Sequence, residues 1–454
     1  MGWGGASGRG WARAKGPGLG VASTAGDGHA PAGAIPLRNR DLRSGKSGQH
    51  GVVDSGKTKY VGARNKVRAK ELVARTTGAR DGAASREGCD MRKKFLIAAT
   101  ALAASSLIVA GCSSSGTSGS TKAASKAKIG VILPDSKSSA RWETADRKYL
   151  EAAFKTAGVA YDIQNAQGDA TQFQTIADQM LTSGVTVLVI VNLDSGSGKA
   201  VLDKAKAQGI PTIDYDRLTL GGSASYYVSF DNVQVGRLQA TGLIKCLTDA
   251  GKTKANITLL DGAPTDNNAT LLKQGAEEML KPKIDAGDYT IVGDQAVANW
   301  DNQLGGTIFE QMYTAAGGKV DGVLAANDGL GNAAIAILKK NKLNGMVPVT
   351  GQDATDQGLQ NVLAGDQCVT VYKAVKQEAD GASALAIALS KGEKPTVSGT
   401  VKDTQTSRDV PAQLLKPVAI YFDNVKDVVA DGYTTAAAIC TADLAAACTK
   451  AGVK

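Results

Sequence analysis

The chain has 454 residues, enough for two or three domains, with 52 Lys and Arg against 43 Asp and Glu. The net charge of +9 comes from its start, because residues 1–90 carry 16 basic and 7 acidic side chains and both histidines. From Cys112 onward there are 33 basic and 36 acidic residues and no histidine. This composition excludes histidine catalysis and histidine metal sites, and it argues against nucleic acid as a partner.

Residues 1–90 are rich in Gly, Arg and Ala and lack a sustained apolar period, so they are predicted to be disordered. We interpret them as a mis-assigned start, with translation beginning at Met91, because an export signal follows directly. A phosphate-loop pattern occurs at 51–58, but the polar residues before it cannot form a core strand. The pattern is therefore interpreted as chance.

A lipoprotein signal peptide is predicted at residues 91–111. Three basic residues at 92–94 precede an apolar run, and Val109-Ala110-Gly111-Cys112 resembles the lipobox of bacterial lipoproteins. The run is short for a membrane span, which needs about 20 residues. An acylated Cys112 would anchor the protein on the outer face of the cytoplasmic membrane, with a Ser/Gly tether over 112–127. The alternative is a buried helix that happens to end in Cys.

Four cysteines remain after Cys112, an even number that suits an oxidising compartment. Cys440 and Cys448 are close in sequence and form the expected pair, which leaves Cys246 with Cys368. The alternative is that all four are buried free thiols. Their spacing matches no zinc pattern.

From Lys128 short β-rich runs alternate with helical ones. A helix is predicted over 171–182, since Phe173, Ile176 and Met180 share one face, and another begins near Asn232. Strands are predicted at 129–133, 185–191, 210–213, 226–230, 257–260, 289–292, 320–325, 347–350, 369–372 and 418–422. Two successive series of this kind predict an α/β protein with two doubly wound parallel-sheet lobes. We expect the lobes to comprise 128–231 plus 373–412, and 232–372 plus 413–454.

Polar side chains follow the predicted strands, at the edge where ligands of open parallel sheets bind. They combine carboxylates, amides, Arg and Lys with Trp142 on one half and Trp300 on the other. This mixture suits a sugar, whose hydroxyls both donate and accept hydrogen bonds and whose C–H face can pack on an aromatic ring. Asp169, Asn267 and Asp328 are predicted instead to cap the helices that follow them.

Eight motifs carry a family resemblance, and they occur in this order: Arg141-Trp142-Glu143, Tyr215-Asp216-Arg217, Val228-Ser229-Phe230-Asp231-Asn232, Asp266-Asn267-Asn268-Ala269, Val292-Gly293-Asp294-Gln295, Ala326-Asn327-Asp328, Gly351-Gln352-Asp353-Ala354 and Thr370-Val371-Tyr372-Lys373. The stretch from about 128 to about 433 resembles the D-xylose-binding protein family of bacterial ABC sugar importers and related multi-sugar-binding proteins. The resemblance implies a type I periplasmic-binding-protein fold with a hinge of three crossings. Residues 436–454 lie outside it.

Carried over by motif, the family's sugar contacts fall on Arg141, Arg217, Asp266, Asn268, Trp300, Asn327, Asp353 and Lys373. Trp142 and Asp135 are further candidates. The resemblance implies a protein without cofactor or enzymatic activity. It captures a monosaccharide, D-xylose first, and delivers it to a membrane permease whose separate ATPase drives transport. We expect a monomer that binds no nucleic acid.

Several alternatives remain open at this point. Loop 134–140 lacks the family's acidic pair followed by an extra basic residue, and Ala296 replaces a frequent second Trp, so the sugar could be glucose, galactose or arabinose. A sugar-sensing role is another alternative. Lactose-repressor-type regulators share the fold but carry DNA-binding helices where this chain has an export signal and tether. A carbohydrate-active enzyme would need Asp353 and Asp266 as a carboxylate pair.

Overall fold

The computed structural model describes residues 127–454. The predicted leader, the phosphate-loop pattern, the signal peptide, the lipidation site Cys112 and the tether up to residue 126 lie outside the described residues. From residue 127 to the C-terminus, no helix is both long enough and apolar enough to cross a bilayer.

The strands of this part of the chain are, in order, β1 (Lys128–Leu133), β2 (Ala160–Asn165), β3 (Val187–Ile190), β4 (Thr212–Tyr215), β5 (Tyr226–Phe230), β6 (Ala255–Asp261), β7 (Tyr289–Ala296), β8 (Gly322–Ala325), β9 (Thr350–Gln352), β10 (Val369–Tyr372), β11 (Gly399–Lys402), β12 (Asp409–Leu415) and β13 (Val418–Ile420). The helices are α1 (Arg147–Ala157), α2 (Ala170–Thr182), α3 (Ser195–Ala207), α4 (Asn232–Asp249), α5 (Asn267–Asp285), α6 (Asn302–Ala315), α7 (Asp328–Lys340), α8 (Asp356–Ala364), α9 (Val375–Ser390), α10 (Val425–Ala430), α11 (Ala436–Ile439) and α12 (Ala445–Ala451). A single π-helical turn, Trp142–Asp146, leads into α1.

The first lobe is built on a seven-stranded sheet in the order β11-β12-β5-β4-β3-β1-β2, parallel except for the β11–β12 pair. Its central strands are buried on both faces, as their continuous apolar runs predict. Phe154 of α1 and Leu385 of α9 pack on one face, and Phe173 of α2 and Leu202 of α3 pack on the other. The strand ends that carry polar residues are thereby held at one edge of a rigid sheet.

The second lobe contains two three-stranded pieces, β7-β6-β8 and β13-β10-β9, joined where Val323 pairs with Val349. All pairs are parallel except β10 with β13. Helices α6 and α7 cover one face and α4 and α5 the other. The fold is the predicted one: two doubly wound lobes with parallel-dominated sheets.

Three crossings connect the lobes, after β5, after β10 and after β12. Asp231 N donates to Leu415 O (2.9 Å), which joins the first crossing to the third. Strand β12 pairs with β5 up to Leu415, so Gln413 to Leu415 belong to the first sheet. The third crossing therefore lies after residue 415, later than the predicted lobe boundary at residue 412. Lys373 stands in the second crossing, so a predicted contact residue lies at the hinge itself.

Helices α4 and α5 approach each other closely because each has a glycine at the contact. A Cβ added at Gly236 would lie 1.9 Å from Leu272 O, and one at Gly275 would lie 1.9 Å from Val233 O. No side chain larger than hydrogen fits at either position. This contact fixes α5, whose first turn carries Asn268.

The predicted strands are present with shifted ends, but β2, β11 and β12 were not predicted. Strand β2 is half-exposed and lacks an apolar run, and Pro411 interrupts the pattern of β12. Asp169 caps α2 as predicted, with its side chain accepting from Thr171 N and Gln172 N. The predicted caps Asn267 and Asp328 are wrong by one residue, because α5 and α7 are capped by Asp266 and Asn327.

Two disulfides, Cys246–Cys368 and Cys440–Cys448, form the pairing expected from the sequence. The first joins the last part of α4 to the residue before β10, across 122 positions of sequence. The second closes a short loop in the C-terminal segment, which packs against α8. The structure therefore contains two disulfides in place of the alternative of four free thiols.

Differential alkylation should therefore find the four thiols blocked before reduction and free after it. Because closing a longer loop removes more entropy from the unfolded state, Cys246→Ser/Cys368→Ser should lower the free energy of unfolding by about 5 kcal/mol and Cys440→Ser/Cys448→Ser by about 2.5 kcal/mol. Urea unfolding of the chain from Ser113 onward measures both values. An unchanged free-thiol count on reduction would contradict the pairing.

Candidate functional site

The eight side chains predicted from the sequence surround one narrow cavity between the lobes, with a volume of about 30 Å³. These residues are Arg141, Arg217, Asp266, Asn268, Trp300, Asn327, Asp353 and Lys373. Trp142 lines the same space, which we call the central cavity. They come from both sheets because the strand ends of the two lobes face each other across it.

Asp135 lies outside the central cavity. Its carboxylate accepts hydrogen bonds from Lys137 N (2.7 Å), Ser138 N (2.6 Å) and Ser138 Oγ (2.9 Å), all in the loop after β1. These local hydrogen bonds hold the loop after β1 in a turn. It borders a neighbouring cavity instead.

Arg141 is buried and bound by three carboxylates. Its Nε and Nη2 donate to the two oxygens of Asp146 at 2.9 and 2.8 Å, a forked arrangement that fixes the guanidinium plane. Nη2 also donates to Glu378 Oε2 (2.7 Å), and Nη1 donates to Asp216 Oδ2 (3.1 Å). Tyr215 Oη in turn donates to Asp146 Oδ1 (2.6 Å). The edge of Arg141 that bears Nη1 is therefore presented at a fixed position.

Asp216 is the acidic centre of the central cavity. Burial alone would raise the pKa of its carboxyl, but the positive charges of Lys373, Arg141 and Arg217 lower that pKa to about 2. Lys373 Nζ lies 3.6 Å from Asp216 Oδ2 and 3.1 Å from Asp353 Oδ1. Asp216 is therefore ionised at neutral pH and sits within a ring of cations.

Burial raises the pKa of the Asp266 carboxyl, an effect that the nearby charge of Arg217 opposes. Arg217 Nε lies 3.0 Å from Asp266 Oδ2. The same oxygen accepts from Trp300 Nε1 (3.1 Å), while Oδ1 accepts from Asn268 N as the cap of α5. Asp266 thus joins a helix start, an aromatic ring and a cation.

The two tryptophans have different surroundings. The Trp142 ring has the guanidinium carbon of Arg141 at 4.4 Å from its centroid and that of Arg217 at 5.6 Å. The Trp300 ring lies on the backbone of Gly262, where an added Cβ would be 2.0 Å from the ring. Trp300 also has a left-handed backbone, with φ of 54°. Trp142 supports the two arginines, whereas Trp300 packs against Gly262.

Three buried polar atoms at the central cavity have no hydrogen-bond partner within residues 127–454: Ser139 Oγ, Gln352 Oε1 and Arg217 Nε, the last of which forms only an ion pair with Asp266. Asp353 Oδ1 also forms no hydrogen bond in the described structure, although Lys373 Nζ is close to it. Buried polar atoms are nearly always paired, so these atoms indicate a polar ligand. The described residues contain no group of His, Cys, Asp and Glu that could hold a metal ion.

Hydrogen bonds across the central cavity join the two lobes. From the second lobe, Asn268 Nδ2 donates to Asp216 O (2.9 Å) and Oδ1 (3.1 Å). Asn327 Nδ2 donates to Ser138 O (3.3 Å). Together with the Arg217–Asp266 pair, these contacts hold the lobes in a closed arrangement.

Five lining residues were not among the predicted contacts: Ser138, Ser139, Asp216, Asn232 and Gln352. Asp216 and Gln352 could have been found, because one follows β4 directly and the other ends β9. The serines could not, since a short hydroxyl side chain in a Ser-rich loop carries no distinguishing signal. Asn232 was predicted as the start of a helix and as part of a resemblance motif, but not as a sugar contact.

Comparison with known proteins agrees with this geometry. The model of the periplasmic binding protein domain family matches residues 129–394. The D-xylose-binding periplasmic protein of Escherichia coli is 34% identical over 311 residues, covering 68% of this chain and 92% of the relative. A multiple sugar-binding periplasmic protein of Azospirillum brasilense is 35% identical over 337 residues, covering 70% and 92%.

A solved structure is also similar. The carbohydrate transporter solute-binding protein of Chloroflexus aurantiacus, in complex with D-glucose, superposes with a TM-score of 0.63 at 30% identity. The match covers 68% of this chain and 97% of that protein. The chain therefore belongs to the type I periplasmic binding proteins, in the family that includes the D-xylose-binding proteins.

Proposed function

We propose that this protein is the lipid-anchored, extracytoplasmic solute-binding component of an ABC importer and that it captures a monosaccharide, most readily D-xylose. The observation that carries this proposal is the central cavity. It combines the charged groups of Asp216, Asp353 and Lys373 with the ring of Trp300 and the unpaired oxygens of Ser139 and Gln352. Sugar hydroxyls would pair with those groups, and the ring would cover the sugar's C–H face.

Binding would act through the hinge. Asp216 and Arg141 belong to the first lobe, Asp266 and Asn268 to the second, and Lys373 to a crossing. A sugar that contacts both lobes binds the closed form more tightly than the open form, and so shifts the equilibrium toward closure. The closed lobes would then be presented to the permease, while a separate ATPase drives transport.

The choice of D-xylose rests on the similarity to D-xylose-binding periplasmic proteins. Glucose, galactose and arabinose remain the competing ligands. The altered loop after β1 is relevant, because its Ser138 and Ser139 line the central cavity. An enzyme is not supported. Asp266 already caps α5, accepts a hydrogen bond from Trp300 and pairs with Arg217. The family, moreover, consists of binding proteins. A sensory role would use the same sugar-bound closed form.

Titration calorimetry against D-xylose, L-arabinose, D-glucose and D-galactose tests the proposal. We expect binding of one sugar per protein, with D-xylose tightest, because missing or extra hydroxyls leave buried polar groups unpaired. Binding of none of the four would refute monosaccharide capture. A tightest ligand other than D-xylose would refute only the choice of sugar.

Trp300→Ala should weaken binding of the preferred sugar by at least about 30-fold, as for a buried aromatic contact at the centre of a site. The melting temperature shows whether the variant still folds. Leu304→Ala, an exposed residue of the following helix, is the matched control and should bind as the unmodified protein does. Equal affinity of the Trp300 variant would remove this ring from the site.

Cys112→Ser should move the protein from the membrane fraction to the soluble extracytoplasmic fraction, because the lipid is attached through the thiol. Ser113→Ala, which leaves the thiol in place, should stay with the membrane. Fractionation followed by immunoblotting measures both. Retention of the Cys112 variant in membranes would show that another element anchors the protein.

A further inference from the structure

A second space adjoins the central cavity on one side of the closed lobes, with a volume of about 440 Å³. We call it the side groove. Lys137 and Thr144 line it from the first lobe, and Asn302, Asn332 and Gln357 line it from the second. Ser139, Arg141, Asn327 and Asp353 border both spaces, so the two are continuous.

The lining of the side groove is polar but balanced in charge. Lys137 and Asp356 both line it, and Arg141 and Asp353 are already held by partners in the site. The other polar groups are amides and hydroxyls. Such a surface favours neither an anion nor a cation, and its donors and acceptors match a neutral polyhydroxyl compound.

Two polar atoms of this lining are buried without a hydrogen-bond partner in the described part of the chain. Ser139 Oγ stands at the junction of the two spaces, and Asn302 Oδ1 stands further along the groove. The amide of Asn302 is held from the other side, because its Nδ2 donates to Lys137 O (3.4 Å). Its oxygen lies against Gly329, another residue of the lining, where an added Cβ would be 2.4 Å away.

The outer wall of the groove comes from the C-terminal part of the chain. Tyr433 and Thr434 line it, and Thr434 Oγ1 donates to Asp356 Oδ1 (2.5 Å) at the start of α8. The segment that follows is held on α8, where Gln360 Nε2 donates to Ala438 O (3.0 Å). This wall is followed by the Cys440–Cys448 segment, which lies beyond both the motif resemblance and the matched family region.

We propose that the side groove binds the second unit of a glycoside whose first sugar occupies the central cavity. The ligands would then include disaccharides or substituted glycosides in addition to a monosaccharide. The inference rests on the proposed function, since the first unit uses the central cavity as described. The glycosidic bond would pass Ser139, and the hydroxyls of the second unit would lie among the side chains of Asn302, Asn332 and Gln357.

Calorimetry with matched probes tests the inference. The probes are D-xylose and D-glucose, their methyl α- and β-glycosides, xylobiose, cellobiose and maltose. Thr144→Trp and Gln357→Trp each place a large ring in the groove from an exposed position that does not line the central cavity. Lys155→Trp, exposed at the end of α1 and away from the groove, is the control.

At least one glycoside should bind the unmodified protein, and both groove variants should weaken it by at least about tenfold because the inserted ring must be displaced. The monosaccharide affinity of all three variants should lie within about twofold of that of the unmodified protein, because the substitutions are at exposed positions outside the central cavity. Monosaccharide binding with exclusion of every glycoside would overturn the inference alone, as would glycoside binding that both groove variants leave unchanged. Failure of every probe to bind would overturn the proposed function as well.

Discussion

The buried guanidinium of Arg141 is the interaction on which the site depends. Moving a cation of this size out of water costs several kcal/mol, so it is tolerated only where carboxylates surround it. Asp146, Asp216 and Glu378 do so from the turn before α1, the end of β4 and the helix after the second crossing. Removing Arg141 would leave these three buried carboxylates without the cation that they share. The network therefore joins the start of the first lobe to the segment that returns to it from the second.

Backbone strain is concentrated near the same cavity. Asn299 and Trp300 follow β7 with φ of 55° and 54°, and Asp353 and Ala354 follow β9 with φ of 90° and 47°. Left-handed conformations in non-glycine residues cost free energy and persist where neighbouring contacts enforce them. Here the loop after β9 is held by Asp328, whose Oδ2 accepts from Thr355 N (2.8 Å). Strain of this kind fixes the directions of the ligand-facing side chains before a ligand arrives.

Much of the architecture could be predicted from the sequence, because continuous apolar strands separated by amphipathic helices indicate parallel sheets. The rule that ligands bind at the carboxyl ends of parallel strands identified Arg217, Asp266 and Asp353 as candidate contacts. The structure places these residues around one cavity. Strand β12 could not be predicted, since it depends on pairing with β5 from almost 200 residues earlier and contains Pro411. The caps of α5 and α7 were misplaced because two polar residues in succession can each supply the capping oxygen. Ser139 could be identified only from its burial without a partner.

Both disulfides lie within the second lobe, one between α4 and the residue before β10 and one in its C-terminal segment. The cross-links therefore leave the hinge unconstrained, and oxidation would not lock the lobes open or closed. The disulfides also stabilise the two lobes unequally against unfolding. With two covalent loops reducing its unfolded-state entropy, the second lobe would open less often, and partial unfolding would begin in the first. Proteases outside the cytoplasm would then find their earliest cleavage sites in the lobe that is organised around Arg141.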